Sequence, residues 1–208
     1  MYMKELLISH YIETTKVLGP FERSTLWVHG CCFECSGCIA KEMNQDVPNV
    51  VKTTDIAEIF ANIDNVEGIT ISGGEPFLQA EALSEMLDYV KKKRDYGVIV
   101  YTGFLYDDLM KSPDDNIRKL LNHVDILIDG QYKEELDDGK PFRGSSNQRI
   151  LELTDRYHSI MQEYYYGVNK RNIEINIKEK NVYMVGVPSE YGLQTWRIFK
   201  AKAEGKNG

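Results

Sequence analysis

Three short apolar runs mark the middle of the chain, and each ends in glycine: "GITISGG" (68–74), "GVIVYTG" (97–103) and "VDILIDG" (124–130). A strand that is apolar on both faces must be covered on both, which places it inside a parallel sheet rather than in a half-wet hairpin. Segments of helical period separate these runs. Ile56, Ile59, Phe60 and Ile63 share one helical face in "TTDIAEIFANI", where Thr54 or Asp55 offers an N-cap. Leu83, Met86, Leu87 and Val90 repeat the spacing, and a further helix is expected over Leu109–Leu121, interrupted at Pro113. This alternation predicts an α/β fold, a parallel sheet joined by right-handed crossovers. With "STLWVHG" (24–30) as another strand, the C-terminal strand ends carry "GCCFEC", "SGGEP", "YTGF" and "IDGQ". In such sheets that edge holds the chemistry.

The last third is less regular. "DRYHSIMQEYYYG" suggests a helix, with Tyr164–Tyr166 as packing and surface aromatics, and "NIEINIKEKNVYMVGVP" alternates like a hairpin around Lys178–Asn181. One domain is expected over 1–200, followed by a disordered tail over 201–208. The net charge of −7 argues against nucleic acid as a partner, and "KKKR" at Lys91–Arg94 reads as the solvated end of a helix. No apolar stretch approaches the ~20 residues that cross a bilayer, so no membrane partner is expected. The charged start "MYMKELLISHY" lacks the pattern of a secretory signal, which points to the reducing cytoplasm.

All four cysteines fall between Cys31 and Cys38. Disulfides stabilise most by closing long loops, so a cluster this tight reads as metal ligands. Cys31, Cys35 and Cys38 have the spacing C-x3-C-x2-C, with Cys32 outside that frame. One reading is a zinc site using three or four cysteines, or three with His29, although no second pair of ligands follows at zinc-knuckle spacing. The other is a [4Fe–4S] cluster on three thiolates, which leaves one iron open to a cofactor or substrate. The "ISGGEP" turn (71–76) lies one strand–helix–strand step later and brings two glycines, a carboxylate and a proline to the same edge.

With both motifs in view, the chain resembles the radical S-adenosylmethionine superfamily. "GPFERSTLWVHGCCFECSGC" is similar to the approach and cysteine loop of glycyl-radical activating enzymes. "LIDGQYKEELDDGKPFRGSSNQRI" (127–150) and "VYMVGVP" (182–188) resemble the activating proteins of anaerobic (class III) ribonucleotide reductase. Phe21 stands where that subgroup usually carries a second glycine. The resemblance implies a partial, open β/α barrel with helices outside. It implies a [4Fe–4S] cluster on Cys31, Cys35 and Cys38, and S-adenosylmethionine chelated by the open iron. It further implies a 5′-deoxyadenosyl radical that takes a glycine Cα hydrogen from a partner. That partner would be a glycyl radical enzyme, the large subunit of the anaerobic reductase, with flavodoxin or ferredoxin as low-potential electron donor.

By the same resemblance, Gly73, Gly74 and Glu75 hold the methionine moiety. Thr102 and Asp129 are candidates for the cofactor's polar groups or are strand-end turn residues, and Val187 lies along the adenine or in the core. Arg23 anchors the cysteine loop or the cofactor, or forms a surface salt bridge. Arg143, Ser145, Ser146, Asn147 and Gln148 either hydrogen-bond an incoming glycine loop or organise their own turn. Two other classes remain: a radical enzyme acting on a small molecule or peptide, and a non-catalytic zinc or iron–sulfur module.

Overall fold

The computed structural model describes residues 4–166, 171–178 and 181–203. Its strands are β1 (Glu5–Thr15), β2 (Arg23–Val28), β3 (Asn49–Lys52), β4 (Gly68–Gly73), β5 (Gly97–Tyr101), β6 (Ile126–Asp129), β7 (Arg149–Glu152), β8 (Ile173–Lys178) and β9 (Asn181–Gly186). Its helices are α1 (Thr53–Ala61), α2 (Ala80–Lys93), α3 (Tyr106–Lys111), α4 (Asp115–Leu121), α5 (His158–Met161) and α6 (Glu190–Ala203). Seven strands form one sheet in the order β3-β1-β2-β4-β5-β6-β7, and β8 and β9 form a separate hairpin.

The expected parallel sheet is the centre of this one: β2, β4, β5 and β6 are parallel neighbours. Both margins are antiparallel, β1 against β2 and β3 on one side and β7 against β6 on the other. A short turn joins β1 to β2, and only an antiparallel partner can be reached that way. The parallel strands lie in chain order. Crossovers of one hand therefore put their helices on one face. Leu26, Val28, Ile69, Ile71, Val98, Val100 and Leu127 pack on that face with Ile56, Phe60, Leu83, Leu87 and Leu120. The alternate residues look the other way. Ile99, Ile126 and Ile128 meet Phe142, Tyr157 and Met161, while Ile12 and Leu18 meet Val185 of the hairpin.

Several local expectations are adjusted. The first helix starts at Thr53 with Lys52 as N-cap, ahead of the expected Thr54 or Asp55, and the Thr53 amide donates to Lys4 O just before β1. Ile56 and Phe60 are buried on its inner face with Ala57, whereas Ile59 is exposed. Pro113 separates α3 from α4, and Asp114 caps the second by accepting from the Asn116 amide. Lys91–Lys93 close α2, as expected of a solvated helix end. Residues 155–166 form short turns of 3-10, α and π type rather than one helix. Tyr165 packs on the second cluster, while the side chains of Tyr164 and Tyr166 lie outside the described residues. Helix α6 reaches Ala203, so the first three residues of the expected tail are helical, and 204–208 lie outside the described residues. No helix among the described residues is long and apolar enough to cross a membrane.

Arg23 is neither on the surface nor at the cysteine loop. It is fully buried at the opposite end of the sheet. Its guanidinium donates to Thr70 Oγ1 (2.9 Å), Glu67 Oε2 (2.5 Å), Tyr157 OH (2.6 Å) and the carbonyls of Ile69 and Gly97. These bonds tie β2, β4, β5 and the 155–157 turn together. Phe21 adopts φ 61°, the left-handed region that glycine visits freely, and its ring is exposed. Arg23→Ala should lower the unfolding free energy by about 3 kcal/mol, the low end for breaking a buried pair because Glu67 is partly wet. Tyr157→Phe should cost about 1 kcal/mol. Denaturant titration of both variants checks this, and near-wild-type midpoints would mean that the pair does not brace the sheet.

Candidate metal centre

The cysteine loop leaves β2 at Val28 and returns at β3, over the C-terminal ends of the parallel strands. Its root is fixed by polar bonds. Asn44 Oδ1 accepts from the Gly30 amide (2.8 Å) while its Nδ2 donates to Ala40 O, and Gln79 Nε2 donates to His29 O and Leu7 O. Phe33 meets Phe104 edge-on at 4.8 Å between ring centres. A Cβ at Gly103 would stand 2.4 Å from the Phe33 ring, so the glycine makes room for this contact.

The two glycines of the GGEP turn have a similar origin. Gly73 has φ 104°, and a Cβ there would stand 2.4 Å from Val28 O. One at Gly74 would stand 2.0 Å from Gly30 O. The Gly74 amide donates to Val28 O and the Glu75 amide to Gly30 O, each at 2.8 Å. The close approach that these glycines permit is to the root of the cysteine loop, which anchors one motif on the other. Glu75 is buried, and its carboxylate accepts from the Phe77 amide (3.0 Å), Thr102 Oγ1 (2.8 Å) and the Gly103 amide (2.8 Å). Burial pushes its carboxyl above the usual range against these three bonds.

The sheet face away from the main helices, the cysteine loop, the hairpin and α6 enclose a cavity of about 1550 Å³. Cys31, Cys35 and Cys38 line it, and Cys32 does not. Gly73, Gly74, Glu75, Thr102 and Val187 line it as well. Glu190, Leu193, Trp196 and Lys200, spaced along one face of α6, form the far wall. Burial raises the Cys31 and Cys35 thiols above their ordinary range, so ligation there has to displace protons. Among the described residues, no three His, Cys, Asp or Glu side chains converge as ligands of one ion. A tetrahedral zinc site needs that convergence. Cluster thiolates each take their own iron and need not converge on one point, and Cys31, Cys35 and Cys38 share the wall of one cavity.

Asp129 is not in the cavity wall. Fully buried, it accepts from the Tyr106 amide and from Arg149 Nε (2.9 Å), an ion pair that joins β6 to β7. The polar run after it organises a turn. Gln148 Oε1 accepts from the Gly144 and Ser145 amides, and its Nε2 donates to Gly130 O. Asn147 Nδ2 donates to Gln131 O, Ser145 Oγ accepts from the Lys133 amide, and the Ser146 amide donates to Leu136 O. Arg143 pairs with Asp138 and donates to Gln148 O. Of the five, only Gln148 reaches the cavity. Sequence reading missed Arg171, whose buried side chain donates to the carbonyls of Lys140, Arg143, Gly144 and Pro188 and to Asp137. A lone arginine beside an irregular stretch carries no local signal. Asn44, also unsignalled, has the same bracing character.

Gly74→Ala should push the turn off Gly30 and impair metal loading while the fold survives. Iron content beside circular dichroism checks this, and full loading would show that the close approach is dispensable.

The 4Fe-4S single cluster domain family matches residues 17–151. The anaerobic ribonucleoside-triphosphate reductase-activating protein of Haemophilus influenzae is 32% identical over 157 residues, covering 67% of this chain and 94% of that protein. Its namesake in Vibrio cholerae is 31% identical over 162 residues, covering 69% and 96%. That of Enterobacteria phage T4 is 29% identical over 145 residues, covering 67% and 89%. The family match spans the whole cysteine loop and the GGEP turn packed against it, and together with these relatives it shows that the chain belongs to the 4Fe-4S single cluster domain family and, within it, to the anaerobic ribonucleoside-triphosphate reductase-activating proteins.

Proposed function

We propose that this chain activates an anaerobic ribonucleotide reductase, using a [4Fe–4S] cluster on Cys31, Cys35 and Cys38 and S-adenosylmethionine in the adjoining cavity. The observation that carries this reading is the shared cavity: the three frame cysteines and the Gly73–Glu75 turn line it, while Cys32 stands outside. Its volume of about 1550 Å³ exceeds the roughly 300–1,000 Å³ of an ordinary small-molecule pocket, which suits a cluster and a nucleoside-sized cofactor together. When bound, the cluster and cofactor supply reductive cleavage of the sulfonium and removal of a hydrogen atom from a glycine Cα of the partner.

The chain's own residues bind, orient and exclude water. Two carboxylate oxygens offer about four acceptor positions, and three on Glu75 are taken by Phe77, Thr102 and Gly103. The remaining one is assigned to the cofactor's ammonium. Thr102 serves by holding Glu75 in place. Val187 and the end of β9 supply an apolar wall for the adenine. The hairpin and α6 close the side away from the sheet, keeping solvent from a reactive species. The open sheet is read as the partial β/α barrel of radical S-adenosylmethionine enzymes, working in the cytoplasm with a flavodoxin or ferredoxin as electron source. The partner is the reductase's large subunit, whose target glycine offers a Cα hydrogen that no side chain shields.

Protein reconstituted without oxygen should carry about four irons and four sulfides per chain. Serine at Cys31, Cys35 or Cys38 should abolish this, whereas Cys32→Ser should retain it. Stoichiometric zinc without sulfide, or cluster loss in the Cys32 variant alone, would overturn the ligand assignment. Glu75→Ala should spare the cluster and weaken S-adenosylmethionine binding by about 1.5–3 kcal/mol, or about 10- to 150-fold, as read by titration. After reaction with the reductase, electron paramagnetic resonance should show a doublet on the partner that collapses when the glycine Cα is deuterated. Absence of that signal, with turnover of a free small molecule instead, would favour a small-molecule radical enzyme.

A further inference from the structure

The segment that follows β6, residues 130–136, lies on the cysteine loop. Ser36 Oγ donates to Glu134 Oε2 (3.3 Å). The Glu134 carboxylate also lies against the backbone of Gly37: a Cβ there would stand 2.8 Å from Cδ, 2.9 Å from Oε1 and 3.0 Å from Oε2. Gly37 has φ 72°, so both its backbone and its missing side chain suit this contact. Glu134, Cys35 and Cys38 line the same cavity.

The polar run over 145–148 holds this segment in place. Gln148 bonds Gly130 O, Asn147 bonds Gln131 O, Ser145 Oγ takes the Lys133 amide, and the Ser146 amide reaches Leu136 O. Four successive residues of the run thus fix four positions of the segment. A single stray contact would not call for such a clamp.

We propose that Glu134 is a positioning residue for the iron–sulfur cluster, and that its carboxylate holds the cluster's reduction potential low. This rests on the reading that the loop carries a [4Fe–4S] cluster. Reduction adds negative charge to a cluster already bearing anionic thiolates, so a carboxylate against the loop between Cys35 and Cys38 opposes it. A low potential serves the proposed reaction, because an electron held too tightly cannot pass to a sulfonium. Glu134 is exposed in the cavity mouth, so its influence is open to screening by salt.

The test is a redox titration of reconstituted protein, followed by the paramagnetic signal of the reduced cluster, for wild type, Glu134→Gln, Glu134→Asp and Glu135→Gln. Glu134→Gln, which keeps the shape and removes the charge, should move the midpoint upward, with a smaller shift at high salt. Glu134→Asp should stay nearer to wild type. Glu135→Gln, which removes an equal charge one residue along, should move the midpoint less than Glu134→Gln. An unchanged midpoint in Glu134→Gln with full iron and sulfide content overturns the proposal, as does an equal shift in the Glu135 variant. Cluster loss in a folded Glu134→Gln protein would reassign the residue to assembly and also overturn it. If wild-type protein takes up no iron and sulfide, it is the cluster reading that fails, before any variants are compared.

Discussion

The site depends on one backbone contact, the approach of the GGEP turn to the root of the cysteine loop. The amides of Gly74 and Glu75 donate to Val28 O and Gly30 O, and no side chain fits at Gly73 or Gly74 while those bonds stand. Glu75 then passes the constraint to the next strand through Thr102 and Gly103. Three strand ends become one rigid rim. A flexible loop holding three thiols would present them in many arrangements, and ordering them would cost conformational entropy on ligation. Anchoring the loop root by Asn44 and Gln79 removes part of that cost beforehand.

The cavity exists because the sheet is covered unequally. Parallel strands in chain order, joined by crossovers of one hand, send their helices to a single face. The opposite face receives only what remains of the chain: the 142–161 segment, the hairpin and α6. These pieces pack at the margins and leave a hollow over the strand ends. Arg23, at the far end of the same face, shows the alternative use of that space. There a charged side chain is enclosed completely, and five acceptors are needed to make its burial tolerable.

Much of the polar chemistry that looks functional in the primary structure proves to be bracing. Asp129, at a strand end where such folds place catalytic groups, is committed to Arg149 and the Tyr106 amide. The "RGSSNQ" stretch, polar enough to suggest a recognition surface, satisfies the backbone of the segment that rests on the cysteine loop. A long connection without regular structure has many backbone amides and carbonyls to satisfy, and side chains of this kind do so at short range. Recognition and bracing draw on the same residue types, so composition cannot separate them.

The sequence by itself determined the central strands, most of the helices, the β8–β9 hairpin and the C-x3-C-x2-C frame. Each of these is a local pattern: an apolar run, a 3.6-residue period, an alternation or a spacing. The antiparallel margins were less visible, because β3 is an exposed edge strand and the pattern of β1 beside it is diluted by polar residues. Tertiary structure alone decided that Cys32 lies outside the cavity while its three neighbours line it. It also decided that Glu75 spans two strands, that Arg171 joins the 137–144 turn to the end of the hairpin, and that Glu134 rests on Gly37. These contacts join residues far apart in the chain. Whether a given carboxylate or guanidinium faces a cavity, a backbone or another charge depends on which distant segment folds against it, and no local period carries that information.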